Sequence, residues 1–196
     1  MTRITARPAA VARRMVHSLA LTLALALPAV GALAADTIFL KLDGIRGEST
    51  DARHPNEIVV NSYAQAFRNA ANFGFGGGGG GAGRVSCGDI TVLKDIDRAS
   101  PDFIMLVTTG RHIPEGTISF TRQAASGPGQ DFYIVRLRDV RIDAVEQIDP
   151  PGEGGLREKI SLKARQFQFT YYPTDARGAL GTPVTFGWDC VSNTRF

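Results

Sequence analysis

Two stretches decide the fold: Phe132-Tyr133-Ile134-Val135-Arg136-Leu137-Arg138-Asp139-Val140-Arg141-Ile142-Asp143-Ala144, and Ile160-Ser161-Leu162-Lys163-Ala164-Arg165-Gln166-Phe167-Gln168-Phe169-Thr170-Tyr171. Both alternate apolar and polar residues with the period of a β-strand, and both slip phase once. Tyr133, Val135 and Leu137 are odd whereas Val140, Ile142 and Ala144 are even; Ile160, Leu162 and Ala164 are even whereas Phe167, Phe169 and Tyr171 are odd. A slip of one residue sends every later side chain to the other face unless the strand bends at that point. A straight strand of about fifteen residues would also span roughly 50 Å, more than the width of a small domain. The segments Phe132 to Ile148 and Glu158 to Tyr172 are therefore read as bent strands shared between two sheets. Such strands make a mainly β architecture, a compact two-sheet β-barrel or sandwich, with a helix covering an end or side.

The flanking sequence supplies the remaining strands. Ile38, Leu40 and Leu42 alternate over Thr37 to Leu42, before a polar loop from Asp43 to Asn56. Glu57 to Phe67 reads as a second strand. Arg84 to Lys94 reads as a third, with a bulge or bend at Gly88, where the apolar phase moves from Val85 and Cys87 to Ile90 and Val92. Thr117 to Arg122 is brief, Thr182 to Cys190 closes the chain with Trp188 at the core, and Gly127-Pro128-Gly129 and Pro150-Pro151-Gly152 mark turns. The one helix signal is Ser100-Pro101-Asp102 ahead of Phe103-Ile104-Met105-Leu106-Val107, with Ser100 as N-cap, Pro101 at the first turn, Asp102 at the positive dipole end and Gly110 as the left-handed stop.

Residues 1–34 hold no Asp or Glu, carry Arg3, Arg7, Arg13 and Arg14, and then run apolar from Leu19 to Val30. This reads as a secretory signal peptide. Ala32-Leu33-Ala34 fits the small-x-small cleavage pattern, with a cut between Ala34 and Ala35. The apolar run is short of the ~20 residues that cross a bilayer, so no stable membrane insertion is expected after cleavage. The leader takes four of the 22 basic residues and none of the 19 acidic ones, leaving 18 against 19, a mature net charge of −1. A near-neutral chain without a Lys/Arg cluster argues against nucleic acid as the partner. Residues 35–196 suit a single domain with one core. Cys87 and Cys190, the only two cysteines, lie in strands whose apolar faces they share, which fits a bridge or two buried thiols. Export favours the bridge.

Between the second and third strands, Gly76 to Gly81, then Ala82-Gly83, put seven glycines in eight positions ahead of Arg84. Such a stretch cannot pack a core and is expensive to order, so it reads as a loop that gains something on docking. It also satisfies glycine-rich phosphate patterns, but the context is wrong: no Lys-Ser/Thr pair follows, and Arg84-Val85 open a strand rather than a helix.

Further residues carry a family resemblance. Phe39-Leu40-Lys41-Leu42-Asp43-Gly44-Ile45-Arg46-Gly47-Glu48-Ser49, His54, Glu57-Ile58, the glycine run with Ala82-Gly83-Arg84-Val85, Asp89-Ile90, Lys94, Asp97 with Ser100-Pro101, Gly110 with His112, Leu137 with Asp139-Val140, Tyr172-Pro173 and Gly187-Trp188-Asp189 follow in order. Together they resemble the Hcp family, the tube proteins of bacterial type VI secretion. The resemblance implies a non-enzymatic β-barrel with one side helix, self-association into hexameric rings that stack into a hollow tube, small effector proteins in the lumen, no cofactor, and a Gram-negative source. It also implies that the loop holding Phe73, Phe75, Gly76, Gly77, Gly78, Gly79, Gly80, Gly81, Gly83 and Arg84 contacts the adjoining ring. The leader departs from the family pattern and implies a periplasmic or secreted chain, with an exported monomeric binding module as the alternative.

Other chemistry is weakly signalled. His54 lies near Asp43, Glu48, Asp51 and Glu57, but one histidine with irregularly spaced carboxylates matches neither a zinc nor a calcium pattern, and polar loops commonly satisfy their own backbone. His112 reads as a helix cap or interface residue. Ser49 and Ser86 lack a nucleophile-elbow context, so no catalytic residue and no metal ligand is assigned.

Overall fold

The computed structural model describes residues 36–69, 84–122, 128–149, 155–175 and 178–196. The strands are β1 (Thr37–Leu42), β2 (Ile58–Val60), β3 (Ser62–Ala64), β4 (Phe67–Asn69), β5 (Val85–Cys87), β6 (Ile90–Asp95), β7 (Ile113–Arg122), β8 (Gln130–Ile148), β9 (Arg157–Tyr171), β10 (Val184–Asp189) and β11 (Thr194–Arg195); the helix α1 spans Ser100–Thr109. Nine strands form one antiparallel sheet in the order β11-β10-β9-β8-β7-β1-β2, with β6 on β9 and β3 on β6; β4 and β5 form a separate pair. The sheet curls because its two longest strands bend, giving the expected mainly β, barrel-like fold, with one helix among the described residues at its side.

The bends lie at the phase slips. In β8, Val135 and Leu137 are buried, Arg138 and Asp139 are both exposed, and Val140 and Ile142 are buried again. Asp139 has φ +53°, in the left-handed region that Asp tolerates better than most residues. Pairing of Arg138 with Gln166 and of Val140 with Ala164 sets Asp139 opposite Arg165, so the slips of β8 and β9 coincide. At the same level β9 exchanges partners along its other edge: β6 pairs with Arg157 to Leu162 and β10 with Gln166 to Tyr171. A second irregularity, the extra residue Asp143 between the Ile142–Leu162 and Ala144–Ser161 pairs, adds further twist.

The expected second strand is three short ones. Its first part, β2, pairs with β1, and beyond Asn61 its second part, β3, pairs with β6, so one short run of chain bridges the two margins of the curled sheet. The expected third strand breaks at Gly88, whose N–H donates to Ala66 C=O at 2.7 Å; the interruption is a bend between β5 and β6. β7 begins at Ile113, four residues before the expected Thr117. Pro114 reads as a breaker in sequence but is accommodated because it lies past Gly116, the last residue that β1 pairs.

Alternation fills the interior with Leu40, Ile58, Ile90, Val92, Ile118, Val135, Val140, Ile160 and Leu162, all fully buried. Helix α1 adds Phe103 and Leu106 and packs against β8. Gly110 ends it at φ +64°, its N–H donating to Leu106 C=O at 3.0 Å. Ser100 is not the N-cap: Ala99 holds that position, and Ser100 is the first helical residue with its hydroxyl drawn inward. Trp188 is only partly buried and is not at the core; on β10 it is Gly187 and Asp189 that are buried. Gly187 faces the C-terminal Phe196, whose ring would lie 2.8 Å from any Cβ there.

Candidate functional site

The features singled out in the sequence gather at three places. The first is the base of the glycine-rich segment. Phe73, Phe75, Gly76 to Gly81 and Gly83 lie outside the described residues, as do the leader and Ala34-Ala35; Arg84 and the strands on either side are described. β4 and β5 pair antiparallel, Phe67 with Cys87 and Asn69 with Val85, and so form the stem. Three links fasten this stem to the C-terminal turn. Cys87 is disulfide-bonded to Cys190 with Cα atoms 6.2 Å apart. Arg84 Nη2 donates to Val191 C=O at 3.2 Å, and Val85 N–H donates to Asn193 Oδ1 at 3.0 Å. Asp189 organises the turn by accepting from Gln166 Nε2 at 2.8 Å, from the Ser192 and Val191 N–H groups at 2.9 Å each, and from Arg165 Nε at 3.2 Å. The Gln166 bond above all, then the backbone donors and the Arg165 charge, hold its carboxyl far below the usual carboxylate range against the opposing effect of burial.

The second place is the loop after β1. His54 is buried, with its ring stacked on Phe39 at 4.3 Å between centroids. Its Nδ1 meets Glu57 Oε2 at 2.9 Å and its Nε2 meets Asp131 Oδ1 at 3.0 Å, while Thr121 Oγ1 donates to the same Asp131 oxygen at 2.6 Å. Arg53 joins by donating to Gly129 C=O at 2.6 Å. The loop folds back on itself through Gly47 N–H to Asn56 C=O and Ser49 N–H to Glu57 C=O. Only glycine fits at position 47, because a Cβ would lie 2.3 Å from Glu57 O. Asp43, Glu48 and Asp51 do not join His54 in a ligand set: Glu48 accepts from Arg98 N–H, and Asp51 Oδ1 accepts from the Arg53 and His54 N–H groups. Among the described residues no group of three His, Cys, Asp or Glu side chains is arranged to hold a metal ion. The cluster is a clamp holding the loop to β7 and β8. Asp131 and Thr121 were illegible as partners, since 77 and 67 residues separate them from His54; only the His54-to-Glu57 spacing hinted at the pair.

The third place is under the helix. Lys94 and Glu158 are wholly buried and paired at 3.1 Å. Lys94 also reaches Asp97 at 2.8 Å, and Ser100 Oγ donates to Glu158 Oε2 at 2.7 Å, with Gln147 Nε2 serving the other oxygen at 3.2 Å. Burial pushes the Glu158 carboxyl up, but the bonds from Ser100, Gln147 and Lys94 outweigh it and hold it below its ordinary value. Lys94 Nζ, Ser100 Oγ and both Glu158 oxygens all have partners within the group, which locks α1 to β6 and β9. Ser49 Oγ accepts from Asp51 N–H, and Ser86 is an exposed residue of β5. His112 caps no carbonyl and pairs instead with Asp139 at 2.5 Å, on the surface beside the β8 bend.

Comparison with known proteins places these features in a family. The family described as "Type VI secretion system effector, Hcp" matches residues 39–171. Protein hcp1 of Pseudomonas aeruginosa is 32% identical over 160 residues, covering 81% of this chain and 97% of that protein. Hcp1 of Salmonella typhimurium superposes with a TM-score of 0.67 at 28% identity, covering 83% of this chain and 99% of that one. A further solved type six secretion system protein shares the fold with a TM-score of 0.77 at 24% identity, covering 83% and 100%. With the family matched across both bent strands and the barrel-like fold shared, the chain belongs to the Hcp family of type VI secretion tube proteins.

Proposed function

We propose that this chain is a non-enzymatic ring-forming subunit whose hexameric rings stack into a hollow tube with a lumen able to carry small effector proteins. The observation that carries the reading is family membership together with apolar side chains left at the sheet margins: Val59 on β2 is 45% exposed and Val184 on β10 is 66% exposed. A free strand margin bearing apolar side chains is a template for pairing with another copy. The glycine-rich segment then contacts the adjoining ring, because its stem is fastened to the barrel by a disulfide and two hydrogen bonds and a docking surface offsets the cost of ordering glycine. Residues 1–34 act in this reading as a leader cut before Ala35, placing the mature chain in the periplasm or outside a Gram-negative cell.

Native mass and negative-stain images of the mature protein over a concentration series test this. Six-subunit rings are expected, with Gly78→Val/Gly80→Val rings that fail to stack. A persistent monomer overturns the ring reading. The monomer is the second reading, an exported binding module; the Cys87–Cys190 bond fits export in either reading, since disulfides persist in oxidising compartments rather than in the cytoplasm.

A further inference from the structure

Among the described residues, the side of the barrel beside β10 forms an open aromatic concavity. Tyr63, Phe67, Tyr133, Phe169, Phe186 and Trp188 line a hollow of about 540 Å³. Packed interiors leave few voids larger than a water molecule, whereas a largely apolar concavity of this size with a few polar groups is what a small-molecule site requires. The walls are ordered by aromatic contacts: Phe67 meets Phe169 edge-on at 5.6 Å, and Phe186 stacks with Trp188 at 6.2 Å. The Cys87–Cys190 bond ties β5, which contributes Val85, to the end of the strand that contributes Phe186 and Trp188, so two opposing walls are covalently joined.

The polar groups of the hollow are neutral, and two of its N–H donors are unused. Tyr63 O–H donates to Gln65 Oε1 at 2.6 Å, which uses the Gln65 carbonyl. Gln65 Nε2 and Trp188 Nε1 are buried and make no hydrogen bond. Burial holds the Tyr63 and Tyr133 phenols above their ordinary value, so both stay protonated. No charged side chain is among the described residues lining the hollow. The wall thus offers unused N–H donors and aromatic faces, with nothing to neutralise an ion. Both donors are covered in the free chain, so a ligand oxygen would reach them by turning the Gln65 amide or the Trp188 indole.

We infer that this hollow binds a neutral small molecule with an aromatic or otherwise apolar body and a hydrogen-bond-accepting oxygen, such as a ketone, ester or lactone. The inference goes beyond the ring-forming reading and does not depend on it. Trp188 is the only tryptophan of the chain, so its emission reports on the site.

The purified protein is titrated with prodan, a neutral naphthyl ketone, and with pyrene, a hydrocarbon without an acceptor, following energy transfer from Trp188. Saturable binding of one probe per chain is expected. Val85→Phe, which fills the hollow, should weaken both probes at least about tenfold, in line with the loss of a packed site. Gln65→Leu should weaken prodan about fivefold and leave pyrene unchanged, as expected for one lost hydrogen bond. Non-saturable binding, or wild-type affinity in Val85→Phe, overturns the site; if Val85→Phe does not fold, equal effects of Gln65→Leu on the two probes overturn it instead. Release of the probe as chain concentration rises would mean that a second copy covers the hollow, and would overturn the small-molecule assignment.

Discussion

The two halves of the bent sheet are built from the same strands to opposite effect. Where β6 meets the first half of β9, the interior is aliphatic: Ile90, Val92, Ile160 and Leu162 interdigitate beneath α1, and even the charges there, Lys94 and Glu158, are buried with all partners made. Where β10 meets the second half of β9, the side chains are aromatic, Phe186 is 44% exposed, and two indole and amide donors have no partner. Branched aliphatic side chains fill a curved interior in defined rotamers, whereas flat rings leave space between them that needs a helix, a partner or a ligand to close. The first half has its helix. The second is held together covalently, by Cys87–Cys190.

That contrast breaks first at the disulfide. The bond spans 103 residues, and the chain-entropy model sets its contribution at up to about 5 kcal/mol. Cys87→Ser should lower stability to denaturant under oxidising conditions only, with amide exchange accelerating in β4, β5 and β10 while β6 keeps its protection. Equal stability of the unmodified chain with and without reductant would show that the aromatic half holds itself.

Next is the charge under the helix. Lys94→Met leaves a buried carboxylate without its cation and should cost about 3 kcal/mol, and Lys94→Met with Glu158→Leu together should recover most of it. Urea unfolding of the three proteins decides this. A double variant as weak as the single would mean that the pair is needed as a unit.

The same pair sets the acid response. The Glu158 carboxyl is depressed from its ordinary 4.5, so its contribution is complete above that value and is lost as pH falls through the lower folded value. Asp189, depressed from 3.8, adds to the loss in the same direction at still lower pH. Stability should be flat from about pH 7 to 5 and fall below about 4. The fall should be shallower in Glu158→Gln; an identical profile in that variant would assign the acid response elsewhere.

The smallest effect is expected at His112 and Asp139, both about half exposed beside the bend. A surface pair of this kind contributes about 0.5 kcal/mol or less, so His112→Ala should unfold nearly like the unmodified chain. A loss several times larger would make the pair part of what fixes the bend between the two halves.

How much of this was legible follows from the range of each interaction. The bends of β8 and β9 were readable because a phase slip is written in consecutive residues, and the stop of α1 because Gly110 adopts the left-handed backbone there without a Cβ clash. The start of the helix was misread because Ser100, a good N-cap by type, gives its hydroxyl to Glu158, 58 residues away. Pro114 and Gly116 hid the first residues of β7, since their breaking effect depends on whether a neighbouring strand needs the N–H. Trp188 does share the face of Phe167, with which it pairs, but that end of the face is open, so the indole is only partly buried, while Phe196 covers Gly187 on the opposite face of β10.

By itself the sequence determined the strand periods, the two bends, the helix α1, the shared faces that fit a Cys87–Cys190 bridge, and the family. Each of these depends on neighbours along the chain or on residue order. The tertiary structure alone decided that β9 exchanges β6 for β10 at its bend, that His54 is clamped by Asp131, and that the described aromatic side chains beside β10 surround a concavity. Those outcomes depend on which distant side chains meet, and on whether their shapes fill the space between them.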